Sequence, residues 1–258
     1  MFRFIYNGLD FSHKIDTAND PSDDYTRHMH HFHEIIYFID GDVRYTIGVE
    51  TALLIKGDFL FIPAGTYHFA DINREKLYDR YVFQFPNTIL PDLLIEKINK
   101  VPPFLGSHKE FLSQFKQFDD YYNENNFSND ELYTVFVCEI IKILILVSKE
   151  SNEVNKQRNE ILSPIIKYID ENLQENITLG SISKRFNYSV SYVSSEFKRQ
   201  MRIPLMQYVR TKKIIAAHNM LLTGKKKGEV AEYFGFHDYS TFYRAYISVM
   251  GYPPSGSK

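Results

Sequence analysis

Two stretches near the end of the chain repeat one another, and a repeated helical unit leaves few folds open. In the first, Ile182, Phe186, Ser189, Val193 and Phe197 mark the pattern; in the second, Val230, Phe234, Asp238, Phe242 and Tyr246. The offset is 48 residues up to the turn and 49 beyond it, so the second turn is one residue longer. Each unit reads as a short helix, a turn and a second helix. Ser189 or Asp238 opens that second helix with a side chain able to accept from its first free N–H groups. Apolar residues recur where two steeply crossing helices must touch, which is the helix-turn-helix plan. A small bundle can mimic one such pair; two, joined by a long helix, are far more specific.

The surrounding pattern is helical as well. Ser163 and Pro164 read as the N-cap and first position of a helix running to about Asn172. Thr178 caps a helix ending near Phe186, and Ser189 one ending near Met201. Pro204 opens a long helix through Leu222, closed by Gly224. Residues 161–258 hold 14 Lys and Arg against 7 Asp and Glu, while the first 160 residues hold 16 against 25. The overall charge of −2 therefore hides a basic segment attached to an acidic one. That asymmetry is expected when only one domain meets phosphates. The polar run 149–160 sets the boundary: a domain over 1–150, a linker over 151–160 and a second domain over 161–258.

The basic segment resembles the C-terminal region of the AraC/XylS family over about residues 161–254. The second unit carries the likeness at Glu229, Val230, Ala231, the run from Gly235 to Arg244, and Gly251, Pro253 and Pro254. The joining helix matches at Tyr208, Lys213, Ile214, Ala217, Met220 and Leu221; the first unit matches at Leu179, Ile182, Phe186, Ser189, Tyr192, Val193, Phe197 and Lys198. Lys227, Ser183, Asn187 and Arg202 depart from the family pattern. Ser195, Ile247 and Ser248 stand where the family often has cations, which implies fewer phosphate contacts.

The resemblance implies a transcription regulator whose partner is double-stranded DNA, with the second helix of each unit in the major groove. With Val193 and Phe197 turned inward, the first such helix exposes Ser191, Ser194, Ser195 and Lys198. With Phe242 and Tyr246 inward, the second exposes Tyr239, Ser240, Tyr243 and Arg244. Arg244 is the best reader, since a guanidinium bonds guanine in bidentate fashion; a phosphate contact is its alternative. Lys212 and Lys213, with Lys184, Arg185 and Lys225 to Lys227, are expected to hold phosphates or simply to be solvated.

The first domain reads differently. Glu34–Asp40, Val43–Gly48, Ala52–Ile55, Phe59–Ile62 and Tyr81–Phe85 are strand-like runs separated by turn residues, which suggests a sandwich or barrel over about 10–86. Helical spacing follows over 88–100, 107–123 and 129–150. The last helix is apolar on more than one face, so it is either intradomain core or a dimer interface. Cys138, the one cysteine, falls in this helix; it reads as a small buried side chain and excludes a disulfide framework, which fits a reducing cytoplasm.

On a strand, His28, His30 and Glu34 share parity and face one side. Pro63 and Gly65 make a tight turn able to return His68 to them. Three histidines and a carboxylate together suit a divalent transition metal. These segments resemble the two motifs of the cupin superfamily, a double-sheet jelly roll, with Asn73 one position late. That resemblance implies His28, His30, Glu34 and His68 as metal ligands. The leading reading is instead that the same four residues line a pocket for an organic effector, since AraC-type regulators often carry a cupin-like domain that binds a small effector without metal. His31 and His33 thicken the cluster and admit a pH-sensitive reading.

The expectation is therefore a two-domain α+β chain: a cupin-like barrel with following helices, then an all-α domain with two helix-turn-helix units. Its function would be sequence-specific regulation of transcription, controlled by a small effector in the barrel. It would not be an enzyme, no cofactor is certain, and a homodimer is expected, open to contact with RNA polymerase. The alternative is a metal-dependent cupin enzyme or a metal-sensing regulator. No apolar run reaches eighteen residues, so no membrane span is expected and the cytoplasm is the natural place.

Overall fold

The computed structural model describes residues 1–17, 28–73, 76–91, 94, 102–124, 126–147, 149, 156–158, 160–201 and 203–254. Two compact units emerge, Met1–Gln157 and Arg158–Lys258. No helix among the described residues is long and apolar enough to cross a membrane.

The first unit is built on two sheets. Its strands are β1 (Phe2–Tyr6), β2 (Leu9–Thr17), β3 (His33–Asp40), β4 (Val43–Ile47), β5 (Glu50–Leu53), β6 (Asp58–Ile62), β7 (His68–Ile72), β8 (Leu77–Phe85), β9 (Phe104–Ser107) and β10 (Lys156–Arg158). The larger sheet runs β1-β2-β8-β3-β6-β9 and the smaller β10-β5-β4-β7. Side chains from both sheets close an apolar interior that includes Ile36, Phe38, Tyr45, Ile47, Leu60, Ile62 and Ala70. This is the expected double-sheet, cupin-like architecture.

The outer face of the larger sheet is covered by helices α1 (Leu112–Asn123) and α2 (Asn129–Val147). Phe11 sits at the centre, with Phe2, Phe83, Phe118 and Phe136 each 5.0 Å away and meeting it edge-on. Such geometry satisfies the ring quadrupoles, and removing one buried Phe of this kind costs about 3–5 kcal/mol. The two covered faces explain the unbroken apolar run of β3. Ile35 and Tyr37 pack toward the helices, while Ile36 and Phe38 fill the space between the sheets.

The strand set is wider than the expected span of about 10–86. β1 and β2 form a hairpin whose turn places Asn7 at φ 46° and Gly8 at φ 80°. An Asn-Gly pair between alternating apolar residues is the signal that would have located it. β9 joins the far edge beside β6. The helix expected over 88–100 lies largely outside the described residues; Asn87–Ile89 is a 3-10 turn. Lys156–Arg158, within the expected linker, is a sheet edge. In α2, Leu132, Phe136, Ile140, Ile143, Leu144 and Val147 are core, while Ile145 and Leu146 are exposed. Cys138 is exposed as well, contrary to the buried side chain expected, because it falls opposite the Phe136–Ile140 stripe.

The second unit contains α3 (Leu162–Glu171), α4 (Leu179–Phe186), α5 (Val190–Met201), α6 (Leu205–Leu222), α7 (Lys227–Tyr233) and α8 (Tyr239–Met250). Thr178 and Ser181 form a capping box at α4, and Asp238 accepts from Thr241 N at α8. Tyr192 N donates to Ser189 Oγ at the start of α5. Ser163 is not a cap: α3 begins at Leu162, and Ile161 precedes it without a side-chain bond. Leu162, Ile165 and Ile169 are all buried, so the apolar stripe rather than the serine sets where α3 starts.

Candidate nucleic-acid interface and effector site

The two helix-turn-helix units are α4–α5 and α7–α8, joined by α6. Their turns use the same backbone device. Asn187 at φ 57° and Gly235 at φ 72°, 48 residues apart, both take the left-handed conformation that lets the chain leave the first helix sharply. Val193 and Phe197 are buried in the first unit, Phe242 and Tyr246 in the second. Ser191, Ser195 and Lys198 are consequently exposed on α5, with Ser194 half-buried. Tyr239, Ser240, Tyr243 and Arg244 are exposed on α8, and Arg244 Nε donates back to Ser240 O at 3.4 Å.

The joining helix departs from expectation. Lys213 is buried, and its Nζ donates to Glu175 O and Phe234 O, both at 2.8 Å. Burial pulls its pKa down. This lysine is an internal strut, tying the loop before α4 to the turn after α7, and does not offer its charge to phosphate. Lys212 is also turned in: its Nζ lies 2.9 Å from Asp170 Oδ1 and 6.0 Å from the Tyr208 ring centre. Sequence spacing placed both on the helix but not on its inner side. Lys184, Arg185 and Lys225 to Lys227 are exposed, with Arg185 resting 4.3 Å over the Tyr168 ring. Ser183, aligned with Ala231, is buried, and its Oγ finds no hydrogen-bond partner.

In the first unit, His28, His30, Glu34 and His68 come together, with one ligand atom of each within 4.8 Å of the others. The means differ from a shared strand parity. β3 begins only at His33, and residues 31 and 32 form a bend. His28 instead makes an isolated bridge with His68, exchanging backbone bonds of 3.1 and 3.0 Å. Gly65, at φ 74°, donates its N–H to His30 O at 2.8 Å and returns the chain to His68 as expected.

The ring nitrogens are held in a definite way. His30 Nδ1 donates to Phe32 O at 2.8 Å, and His68 Nδ1 to Thr66 O at 2.9 Å. A carbonyl can only accept, so both Nδ1 atoms carry the proton. Both Nε2 atoms then point at the same carboxylate oxygen. Glu34 Oε2 lies 2.7 Å from His30 Nε2 and 3.5 Å from His68 Nε2, and accepts from Gln84 Nε2 at 3.2 Å. His68 is fully buried and its Nε2 has no hydrogen-bond partner. Burial alone would raise the Glu34 pKa; the His30 hydrogen bond and the nearness of His68 outweigh it and hold the carboxyl well below its usual range.

His33 does not belong to this group. It faces the helices, stacks on Phe61 at 5.5 Å, bonds Asn87 through Nε2 and accepts from Ala64 N. Burial lowers its pKa, and likewise that of His31. Asn73 donates to Asp42 at the surface and is no ligand.

A small cavity of about 30 Å³ adjoins the cluster, lined in part by His28, Glu34, Tyr45, Lys14, Arg80 and Gln84. Space of that size admits an ion or about two waters. Arg80, buried, reaches Asp16 at 2.6 Å and lies 4.0 Å over the Tyr78 ring. Lys14 and Arg80 are direct cross-strand partners, so β2 and β8 bring a polar strip to an otherwise apolar interior. The sequence reading did not include these residues; alternation along 9–16 would have placed Lys14 on the face opposite Phe11.

The matching family models agree with this division into two parts. The family described as an AraC-like ligand binding domain matches residues 15–132, and a helix-turn-helix domain matches 182–257. The uncharacterized HTH-type transcriptional regulator YdiP of Escherichia coli K12 is 24% identical over 92% of this chain and 82% of its own. The melibiose operon regulatory protein of the same organism is 24% identical over 89% of this chain and 82% of its own. The solved structure of ToxT from Vibrio cholerae strain SCE256 covers 96% of this chain and 92% of that one, at 13% identity and a TM-score of 0.42. With its ligand-binding domain first and its two DNA-binding helix-turn-helix units last, the chain belongs to the AraC/XylS family of transcription regulators.

Proposed function

We propose that this DNA-binding regulator is controlled from the cluster of His28, His30, Glu34 and His68, and that its effector there is or includes a divalent transition metal. The observation that carries the reading is the pair of locked imidazoles. With each Nδ1 proton engaged by a carbonyl, both Nε2 atoms are aimed at one buried carboxylate oxygen, His30 at 2.7 Å in a hydrogen bond and His68 at 3.5 Å without one. A divalent cation between them would take the place of the proton that His30 Nε2 shares with Glu34 and give the orphaned His68 Nε2 a partner. Backbone carbonyls that fix the far nitrogen of a histidine are the usual supporting shell of a metal ligand. Three imidazoles and a carboxylate suit first-row divalent ions. When bound, such an ion supplies charge and cross-linking at this point; His30, His68 and Glu34 orient it and Gln84 steadies the carboxylate.

An organic effector without metal is the second reading. The lining of the cavity beside the cluster supports it, with hydrogen-bonding groups from Arg80 and Gln84 and an aromatic wall from Tyr45, although a cavity of about 30 Å³ must widen to admit anything larger than an ion. On either reading Ser191, Ser194, Ser195 and Lys198 of α5 and Tyr239, Ser240, Tyr243 and Arg244 of α8 face the DNA. The exposed Ile145 and Leu146 of α2 support a homodimer reading two half-sites, with RNA polymerase as a further partner. The protein's role is regulatory, without catalysis, as its relatives' names support.

Elemental analysis of untagged protein, purified without chelator, tests the reading. About one equivalent of a transition metal, lost in His68→Ala, is the expected result. No metal, and no thermal shift with added zinc, iron, nickel or manganese ions, would leave the organic effector in its place.

A further inference from the structure

The leading turns of the two reading helices share an uncommon chemistry. From Val190 to Ser195, α5 offers no charged or amide side chain. Val190 and Tyr192 are exposed, at 49% and 39%, and Tyr192 lies 5.3 Å from the exposed Tyr188. Two of the hydroxyls around this turn already have local partners: Ser189 Oγ accepts from Tyr192 N, and Ser195 Oγ donates to Tyr192 O. Glu196 is held by both arms of Arg199. In α8, Asp238 is engaged with Thr241, while Tyr239 and Tyr243 stand exposed with their rings 6.2 Å apart. Arg244 is the one charged side chain in the first two turns, from Tyr239 to Ala245.

The N-terminal part of a recognition helix is what meets base edges. Guanine is taken there by Arg or Lys and adenine by Asn or Gln, none of which stands in the leading turn and a half of α5. What both helices do present is exposed apolar and aromatic surface. In the major groove one base alone projects an apolar group, the 5-methyl of thymine.

We propose that the operator is thymine-rich where these helices enter it and is read through thymine methyl groups, by Val190 and Tyr192 of α5 and by Tyr239 and Tyr243 of α8. Arg244 adds the polar anchor. This specificity rests on the DNA-binding reading of the same two helices. It also accounts for a reading surface with few cations, because methyl contacts do not depend on counterion release.

The full-length protein is used to select sites from a random duplex library. Each thymine of the selected site is then replaced in turn by deoxyuridine, which deletes the methyl and keeps every hydrogen-bonding group. Binding should weaken about fourfold at each contacted thymine, the factor for burying one methyl-sized group. Val190→Ser should abolish that sensitivity at its own thymine and leave it elsewhere. Tyr239→Ser gives the same test in the second unit, and melting curves of both variants report their folding. Indifference to every deoxyuridine, or a consensus anchored on guanine beneath α5, would overturn the inference. Failure to select any sequence would instead defeat the DNA reading beneath it.

Discussion

Replacing Lys213 by methionine separates an internal strut from a phosphate contact. Methionine keeps an unbranched stem of similar volume and removes the ammonium. Two hydrogen bonds of 2.8 Å disappear with it. A bond from a charged donor contributes about 1.5–3 kcal/mol, offset here by the desolvation that depresses the lysine pKa. The two acceptors fare differently. Phe234 is buried, so its carbonyl has no replacement, whereas Glu175 is exposed and its carbonyl can turn to water. The net loss is about 2–4 kcal/mol. In a unit of this size one kcal/mol moves the melting point by roughly 4–8 °C, so a drop on the order of 10–25 °C is expected. Scanning calorimetry of the full chain reads it as an early transition of the C-terminal unit. An unchanged transition, with the salt dependence of DNA binding reduced by about one phosphate contact, would show that Lys213 reaches the backbone of the duplex and would refute the strut.

Three further outcomes are expected. Ser183→Ala removes a buried hydroxyl without a partner and should stabilise the C-terminal unit by about 1–2 kcal/mol in urea unfolding. Arg244→Ala should cost about 1–3 kcal/mol of discrimination at one base pair in competition binding, while Lys212→Ala, already paired with Asp170, leaves affinity nearly unchanged. His13 lies between two carboxylates, 2.8 Å from Asp119 and 2.9 Å from Asp79, and both its nitrogens must donate. Burial would lower its pKa, but these hydrogen bonds outweigh that and raise it. Its contribution to stability is therefore full below about 6.5, the unfolded value, and fades as pH rises through the higher folded value. Thermal melts of His13→Gln should lack this loss on the alkaline side.

The helical half was largely legible because its signals are local. Thr178, Ser189, Asp238 and Gly224 mark element ends, and the spacing of Val193 with Phe197 and of Phe242 with Tyr246 gives the inner faces. The direction of Lys212 and Lys213 was not legible, since a lysine stem is amphipathic and only the neighbouring loop decides where its head goes. In the barrel, the four residues of the cluster were found through the right residue types by way of the wrong geometry. A bend at 31 and 32 breaks the parity on which that grouping relied, and the backbone bridge of His28 to His68 brings the residues together instead. His33 shows the same limit: one residue from Glu34, it points through the sheet to the other side. Cys138 was misjudged because an apolar helix with two rich faces does not say which one the sheet will cover.

Glu34 stands on β3 and His68 on β7, and these strands belong to different sheets. An ion held by the cluster, as proposed above, would therefore be a rivet through two layers that otherwise meet through apolar side chains. Filling it would stiffen the link between the layers. Amide protons of both sheets would slow their exchange together on loading, and the concentration of a small solute would be written into the mechanics of the whole barrel.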